Sequence, residues 1–415
     1  MTLSFEHYRA QTVSTGRQHS FSEGRLCIDI EMLARSLRER DERLQSVRVD
    51  IARPGTSTRI LCCKDVVQPR WRRGAAGSGA GVVRLLDNVA VASCGPIVGF
   101  QEGIIDMSGP GAAYTPFSEL HLLVVQLEVA DDLPAHEHEA AVREAGIEAA
   151  RQVADVLASA GPDPDTVEAF PWKTPDPGTG LPRIVYVDLM LSQGLLHDTW
   201  VLGENARTGL PRILDPRVLI DDGVISGNCV SACDKNTTFH HQNNPLILEL
   251  LRGHGQRWDF AGVVATNCPT RLHDKEHSAS RAVSLAATLN PDGAIVSKEG
   301  FGNPDADLMM LVRGLERAGI RTVAITDEFA GRDGASQSLA DVTAEADAVV
   351  STGNANAVVE LPPMETVLGP VADVARLAGG YADCLRDDGS MAVELQVIMG
   401  ATNELGFSRL SARGI

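Results

Sequence analysis

The sequence predicts an α/β protein, with an N-terminal α+β domain followed by a C-terminal three-layer α/β (Rossmann-like) domain built on a mainly parallel sheet. Three observations carry that expectation. Through roughly residues 255–380, short apolar runs alternate with amphipathic runs of helical length, as strands joined by helical crossovers do. The earlier part of the chain holds strand-like runs punctuated by Gly and Pro around one long helix-like stretch. The chain has 415 residues, 44 % hydrophobic and 22 % charged, an ordinary globular composition at a length for two domains.

In the N-terminal part, residues 25–30, 47–51, 58–62, 82–86, 90–98 and 120–129 read as strands. Residues 136–159 read as a long amphipathic helix and 183–190 as a further strand. GPDPD (161–165) and TPDPGTGLP (174–182) are surface loops by composition, and RRGAAGSGAGVV (72–83) is a flexible glycine loop. In the C-terminal part, FAGVVAT (260–266) reads as a buried strand. Residues 276–289 have helical spacing through Ala279, Ala282, Val283, Ala286 and Leu289. GAIVS (293–297) is a second strand, and a helix over 305–318 follows, with Asn303 placed to cap it, Pro304 at its first position and Gly319 as the stop. TVAIT (322–326) is a third strand, a helix is expected around 336–346, and DAVVS (347–351) is a fourth strand. Binding loops are expected at the carboxyl ends of these strands, at EGFGNPD, TDEFAGRDG and STGNAN.

The net charge of −18 argues against nucleic acid or an anionic membrane as the main partner, since both reward a basic surface. Small anionic substrates answer to the local field and stay open. No uncharged apolar run reaches 18 residues, so no membrane span is expected, and MTLSFEHYRAQTVSTGRQ has no apolar core of a secretory signal. Eight cysteines scattered over so long a chain suggest reduced thiols and a cytoplasmic protein.

Reactive side chains concentrate in SGNCVSACDKNTTFHHQNNP (226–245). Four readings are open. Cys229, Cys233, His240 and His241 could bind zinc, although adjacent histidines in an extended segment point to opposite sides. Cys229 and Cys233 could form a redox pair, although C-x-x-C is the usual spacing. They could be core cysteines in a quiet loop. Or the chain could break: the Cys229 thiol attacks the carbonyl of Asn228 in an N-to-S acyl shift, aided by Gly227 and a histidine base. Loss of the thioester sulfur then leaves dehydroalanine, which tautomerises and hydrolyses to a pyruvoyl group. Elsewhere, EGFGNPD lacks the third glycine of a dinucleotide fingerprint and sets Asp305 where a pyrophosphate would sit. Arg332, in GRDGASQS (331–338), could clamp a substrate carboxylate or make an ordinary loop ion pair.

The segment 226–245 resembles the cleavage site of the component B proproteins of glycine, sarcosine and betaine reductases. So do DIARPGTSTRI (50–60), GFQEGIIDMSGPGAAYTPFS (99–118), SQGLLHDTW (192–200), EGFGNPDADL (299–308), TDEFAGRDGASQSLAD (326–341), GNANAVVELPPM (353–364) and GATNELGF (400–407). The resemblance covers nearly the whole chain in order; D-proline reductase proproteins share its cleavage logic. It implies a cut at Asn228–Cys229, which would release an N-terminal α+β domain, 1–228, and a C-terminal α/β domain, 229–415, that begins with a covalent pyruvoyl cofactor made from Cys229. It implies an amine substrate (glycine, sarcosine or betaine) activated as a Schiff base, although betaine's quaternary nitrogen cannot condense. A selenocysteine-containing component B subunit would supply the selenolate, and further components would release acetyl phosphate, in an oligomeric complex. Asp234 and His241 are the expected proton-transfer helpers at the cut, Cys233 a support, and Arg332 the expected contact for the substrate carboxylate. The rivals are an uncleaved scaffold or binding subunit and a nicotinamide-dependent oxidoreductase.

Overall fold

A strand buried on both faces sends alternate side chains into two different layers. The strand at Arg183–Met190 does so: Val185, Val187 and Leu189 enter one apolar cluster, Tyr186 and Met190 another. The computed structural model describes residues 2–99, 102–158, 163–176, 178–192, 199–227 and 231–407. In chain order its main elements are β1 (Leu3–Arg9), α1 (Ile30–Arg40), β2 (Leu44–Ala52), β3 (Thr58–Val67), β4 (Arg70–Arg72), β5 (Gly81–Asp87), β6 (Val89–Cys94), β7 (Gly103–Asp106), β8 (His121–Val129), α2 (Ala135–Ala154), β9 (Thr166–Phe170), β10 (Arg183–Met190) and β11 (Arg212–Leu214). Then come α3 (Thr238–Gln242), α4 (Pro245–Gly253), β12 (Asp259–Asn267), α5 (Leu272–Thr288), β13 (Gly293–Lys298), α6 (Asn303–Arg317), β14 (Arg321–Glu328), β15 (Val349–Asn354), β16 (Val358–Leu361), β17 (Thr366–Leu368) and β18 (Met391–Glu394).

The parallel sheet has the order β11-β12-β10-β13-β14-β15, with only the short edge strand β11 antiparallel. Helices α5 and α6 cover one face through Ala279, Ala282, Leu308 and Leu311, while α4 covers the other through Ile247, Leu250 and Leu251. The result is the expected three-layer α/β arrangement. Its five parallel strands run 2-1-3-4-5 along the sheet, so connections leave in opposite directions between β10 and β13, and ligands bind at such a switch point. Strand β10, which by sequence reads as part of the N-terminal half, is the first strand of this sheet.

A second sheet, β7-β3-β6-β8-β2, carries β17 alongside β3 and is covered by α2, whose Val142, Ala145, Ala149 and Val153 pack on Val67, Val91, Leu123 and Val125. A third has the order β9-β1-β5-β4. Among the described residues no helix is long and apolar enough to cross a membrane.

Three local expectations need correction. No helix forms over 336–346; the backbone there turns to meet other partners, with Ala340 N–H donating to Asp305 Oδ2 (2.7 Å) and Phe329 N–H to Ser338 O (2.9 Å). Helix α6 starts one position earlier than a cap at Asn303 requires: Gly302 stands at the cap position without a side-chain bond, and its φ of 74° is the left-handed turn that glycine permits. The glycine loop before β5 is anchored, since Asp221 accepts from Gly79 N–H (2.9 Å) and pairs with Arg72.

Candidate active site

The crevice between β10 and β13 is filled by the segment that drew attention in the sequence. Glu299, just past β13, accepts Leu191 N–H (3.0 Å) on one oxygen and Asn236 N–H (2.9 Å) on the other, so one carboxyl group ties both strand ends to the segment. Asn236 donates from Nδ2 to Glu404 Oε1 (2.9 Å) and accepts from Asn403 Nδ2 (2.5 Å). The chain before it is laced to the C-terminal part: Ala232 and Cys233 N–H both donate to Gln396 O (3.1 Å each), and Thr402 N–H donates to Cys233 O (3.0 Å).

The second sheet forms the opposite wall. Asp65, in β3, accepts Thr238 N–H (2.9 Å) and the Thr238 hydroxyl (2.7 Å), and the same hydroxyl accepts Ser226 N–H (3.1 Å). Gly103 lets the segment come close: a Cβ there would lie 2.3 Å from Ala232 Cβ. Between the walls, the buried Lys235 ammonium donates to Gly227 O at 2.9 Å, fixing the carbonyl just before residues 228–230.

Burial dominates the electrostatics of this chamber. It pushes the carboxyls of Asp188 and Glu299 up to about 7 and that of Asp327 up to about 8, and it raises Glu404 well above the carboxylate range. Lys298 bridges Asp305 and Asp327. Carboxyls so placed at the ends of parallel strands hold protons more tightly than ordinary surface carboxyls do.

Of the residues singled out in the sequence, Asn228 and Cys229 lie outside the described residues. Cys233 is fully buried, its thiol held well up by burial, with Ser231 Oγ at 3.4 Å. Asp234 accepts from Ser231 Oγ (2.9 Å), and its charge acts on Lys298, Asp327 and Glu404. His241 is buried; burial lowers its pKa to about 3, and neither ring nitrogen has a hydrogen-bond partner among the described residues. His240, also lowered to about 3 by burial, is a helix cap: its Nδ1 accepts Thr237 N–H (3.1 Å) while its own N–H donates to Thr237 Oγ1 (3.3 Å). Arg332 lies apart from this group, half exposed, with Nε on Glu394 (2.7 Å) and its guanidinium over the Tyr381 ring. Among the described residues no group of three or more His, Cys, Asp or Glu could hold a metal ion. Asp305, in the first turn of α6, is held by Lys298 and Ala340 N–H where a dinucleotide fold would receive a pyrophosphate.

Lys64, Asp65, Lys235, Asn236, Glu299, Asp327 and Glu404 were not singled out from sequence. Most of them sit inside runs that carried the family resemblance, such as CDKN, EGFGNPD, TDEFAG and GATNELGF. Their types alone gave no sign that they meet.

The family described as glycine/sarcosine/betaine reductase component B subunits matches residues 1–413. The glycine reductase complex component B subunits alpha and beta of Peptoclostridium acidaminophilum are 44 % identical over 432 aligned positions, covering all of both chains. The protein of the same name from Acetoanaerobium sticklandii is 44 % identical over 90 % of each chain. The sarcosine reductase complex component B subunit alpha of P. acidaminophilum is 41 % identical over the whole of both. No solved structure matches the chain.

Proposed function

The chain belongs to the family of glycine/sarcosine/betaine reductase component B subunits, and from that premise we propose that it is a proprotein cut at Asn228–Cys229. The cut would leave a pyruvoyl group, made from Cys229, in the substrate-binding component of a reductase acting on a small amino acid of the glycine type. The observation that carries this reading is the Lys235 ammonium on the Gly227 carbonyl, among buried carboxyls whose pKa burial raises, where the two halves of the chain meet. The relative from P. acidaminophilum supports it, since one chain there is named for two subunits.

The surrounding residues suit a small polar carbonyl group. Asp327 Oδ2 and Glu404 Oε2 are buried without a hydrogen-bond partner among the described residues. Burial raises the pKa of both, and a carboxyl in its protonated form has a proton to donate and a lone pair to offer. A pyruvoyl group, once formed, supplies an electrophilic ketone that takes up an amine. This chain's own part is to hold and to exclude. Lys235 fixes the backbone before the cut, and Glu299 and Asn236 hold the segment in the crevice. The carboxyls of Glu299 and Asp327, raised by burial to about 7 and about 8, would supply a proton to a departing amine. Asp234 and His241 remain our proposed helpers in proton transfer during the cut, with Cys233 beside them. Arg332 stays proposed for a carboxylate only if it leaves Glu394. The nucleophile that attacks the substrate would come from a selenocysteine-bearing component of the complex. A reducing cytoplasm is supported by the seven described cysteines, which are thiols and not disulfides.

Intact mass under denaturing conditions tests the reading. We expect two fragments in place of one 44.2 kDa chain, with a hydrazine-reactive carbonyl on the second. Cys229→Ala should stay whole and carbonyl-free. A Cys229→Ala chain still cut after residue 228 would overturn the assignment.

A further inference from the structure

We infer that Cys63 and Cys94 are a thiol–disulfide couple, a modification site in the second sheet that a small aliphatic disulfide closes into a cross-strand bond. Both residues lie outside the segment 226–245, and the couple holds whether or not the chain is cut.

The register of the sheet brings the two cysteines together. Cys63 in β3 and Cys94 in β6 are direct partners in an antiparallel ladder. Gly95 N–H donates to Cys62 O (3.4 Å), so the next pair along, Cys63 with Cys94, is of the kind that exchanges no hydrogen bonds. Such partners have Cα atoms about 4.5 Å apart and side chains in close approach, and a disulfide spans Cα atoms roughly 4.4–6.8 Å apart. Both side chains lie on one face of the sheet, in an apolar cluster with Ala92, Ile105 and Met399. The other ladder partners of the cysteines in these sheets are Ser14 and Ser20 for Cys27 and Gly103 for Cys63.

The neighbouring third thiol is turned away. Cys62 has a φ of 55°, and the ladder skips Lys64 between Cys63 and Asp65, so the strand is bulged at this point. A bulge re-aims side chains. Cys62 therefore packs with Ile97, Val374 and Leu377, and its thiol donates to Pro370 O (3.7 Å).

Access comes from the side of Cys94. A cavity of about 360 Å³ is lined by Cys94, Ser46, Arg48, Gln126, Gly369 and Pro370, and Cys63 is not among its walls. Cys94 therefore reacts first and Cys63 second. The Cys94 sulfur gives up its proton and attacks one sulfur of the small disulfide. That S–S bond breaks, and its other half leaves as a thiolate and takes the proton. The Cys63 sulfur then gives up its proton and attacks the Cys94 sulfur of the mixed disulfide, and the second small thiol leaves with a proton. Two protein thiols are oxidised to one disulfide, and one small disulfide is reduced to two thiols.

Burial pushes the Cys94 thiol up to about 12 and holds that of Cys63 well above its usual range. Neither thiolate is stabilised, so the first attack is slow, and the reduced form gains nothing that would oppose the disulfide at equilibrium. The bond would tie β6 to a strand that forms one wall of the candidate site. Cys63 also pairs with Gly103, where Ala232 comes close, and Asp65, two residues on, holds Thr238.

The test uses the full chain, folded in native buffer and brought to equilibrium with excess 2-hydroxyethyl disulfide. The chain is then unfolded, its remaining thiols are alkylated, and its peptides are mapped by mass spectrometry. We expect one cross-linked peptide pair that joins Cys63 to Cys94, lighter than the two separate peptides by about 2 Da, the two hydrogens lost. Both residues should be missing from the alkylated set, and dithiothreitol should return both to it. Cys63→Ala should trap the first step, with the small thiol left attached to Cys94. Cys94→Ala should leave Cys63 alkylatable and without an adduct. Peptide mapping of the unaltered chain decides the couple even where a variant does not fold. A folded chain in which Cys63 and Cys94 both remain alkylatable at equilibrium overturns it. So does a cross-link that joins Cys62 to either of them. An adduct on Cys63 in Cys94→Ala, or an unmodified Cys94 in Cys63→Ala, overturns the order of attack.

Discussion

Asp188 shows how much of this chemistry belongs to single residues. It lies near the end of the central strand β10, on the face opposite Val187 and Leu189, and burial raises its carboxyl to about 7. An unfolded aspartate ionises near 4. The folded state therefore holds a proton that the unfolded state has released between about pH 4 and pH 7. Stability from this group is complete below about pH 4 and is lost as the pH climbs through about 7, at about 1.4 kcal/mol per pH unit within that window. Asp188→Asn should remove that slope: the fall in melting temperature between pH 5 and pH 7.5 should be smaller in the variant, as scanning calorimetry would record. Residue type alone pointed elsewhere. Arg332 has the fork that suits a carboxylate, yet it lies on Glu394 and Tyr381. Lys235 stood in plain view in the motif, but its bond to a carbonyl eight residues earlier is a property of the folded loop.

At the scale of elements, periodicity carried far where burial is one-sided or complete, and failed where side chains and turns compete with the backbone. The strand at 183–190 is found at the expected bounds, and the helices expected over 276–289 and 305–318 are present with shifted ends. The expected helix over 336–346 is absent, because the N–H groups of Ala335, Ser336, Ala340 and Val342 bond to other partners. Helix α3 is the opposite case: five residues are too few to stand on propensity. It is held by the reciprocal bonds of Thr237 and His240 and by Asp65 on Thr238. Thr237→Ala should lower stability by about 1 kcal/mol, measured by urea denaturation of the Cys229→Ala chain so that cleavage does not intervene. A loss below about 0.3 kcal/mol would show that tertiary packing alone holds this turn.

For the whole molecule, the position of residue 228 in the topology matters more than its position in the sequence. The parallel sheet takes β10 and β11 from before it and β12 through β15 from after it, with β10 between β12 and β13. Strand β17 pairs with β3 across the same point. A cut at Asn228–Cys229 would therefore break one covalent bond and leave these ladders intact. The two fragments should elute together from size exclusion in native buffer and separate only in denaturant. Recovery of 1–228 alone under native conditions would contradict this.

By itself the sequence determined the α/β class, most strand positions, the run of segments that marks the family, and the one peptide bond at which a thiol follows Asn228. Each of these is local or is spelled out residue by residue. Only the tertiary structure decided that β10 lies inside the parallel sheet, that Lys235 reaches the Gly227 carbonyl, and that burial raises the carboxyls of Glu299, Asp327 and Glu404. The physical reason is the same in each case. A period tells which face of a strand is apolar and leaves its neighbours open, and a side chain's proton depends on the groups that packing brings around it.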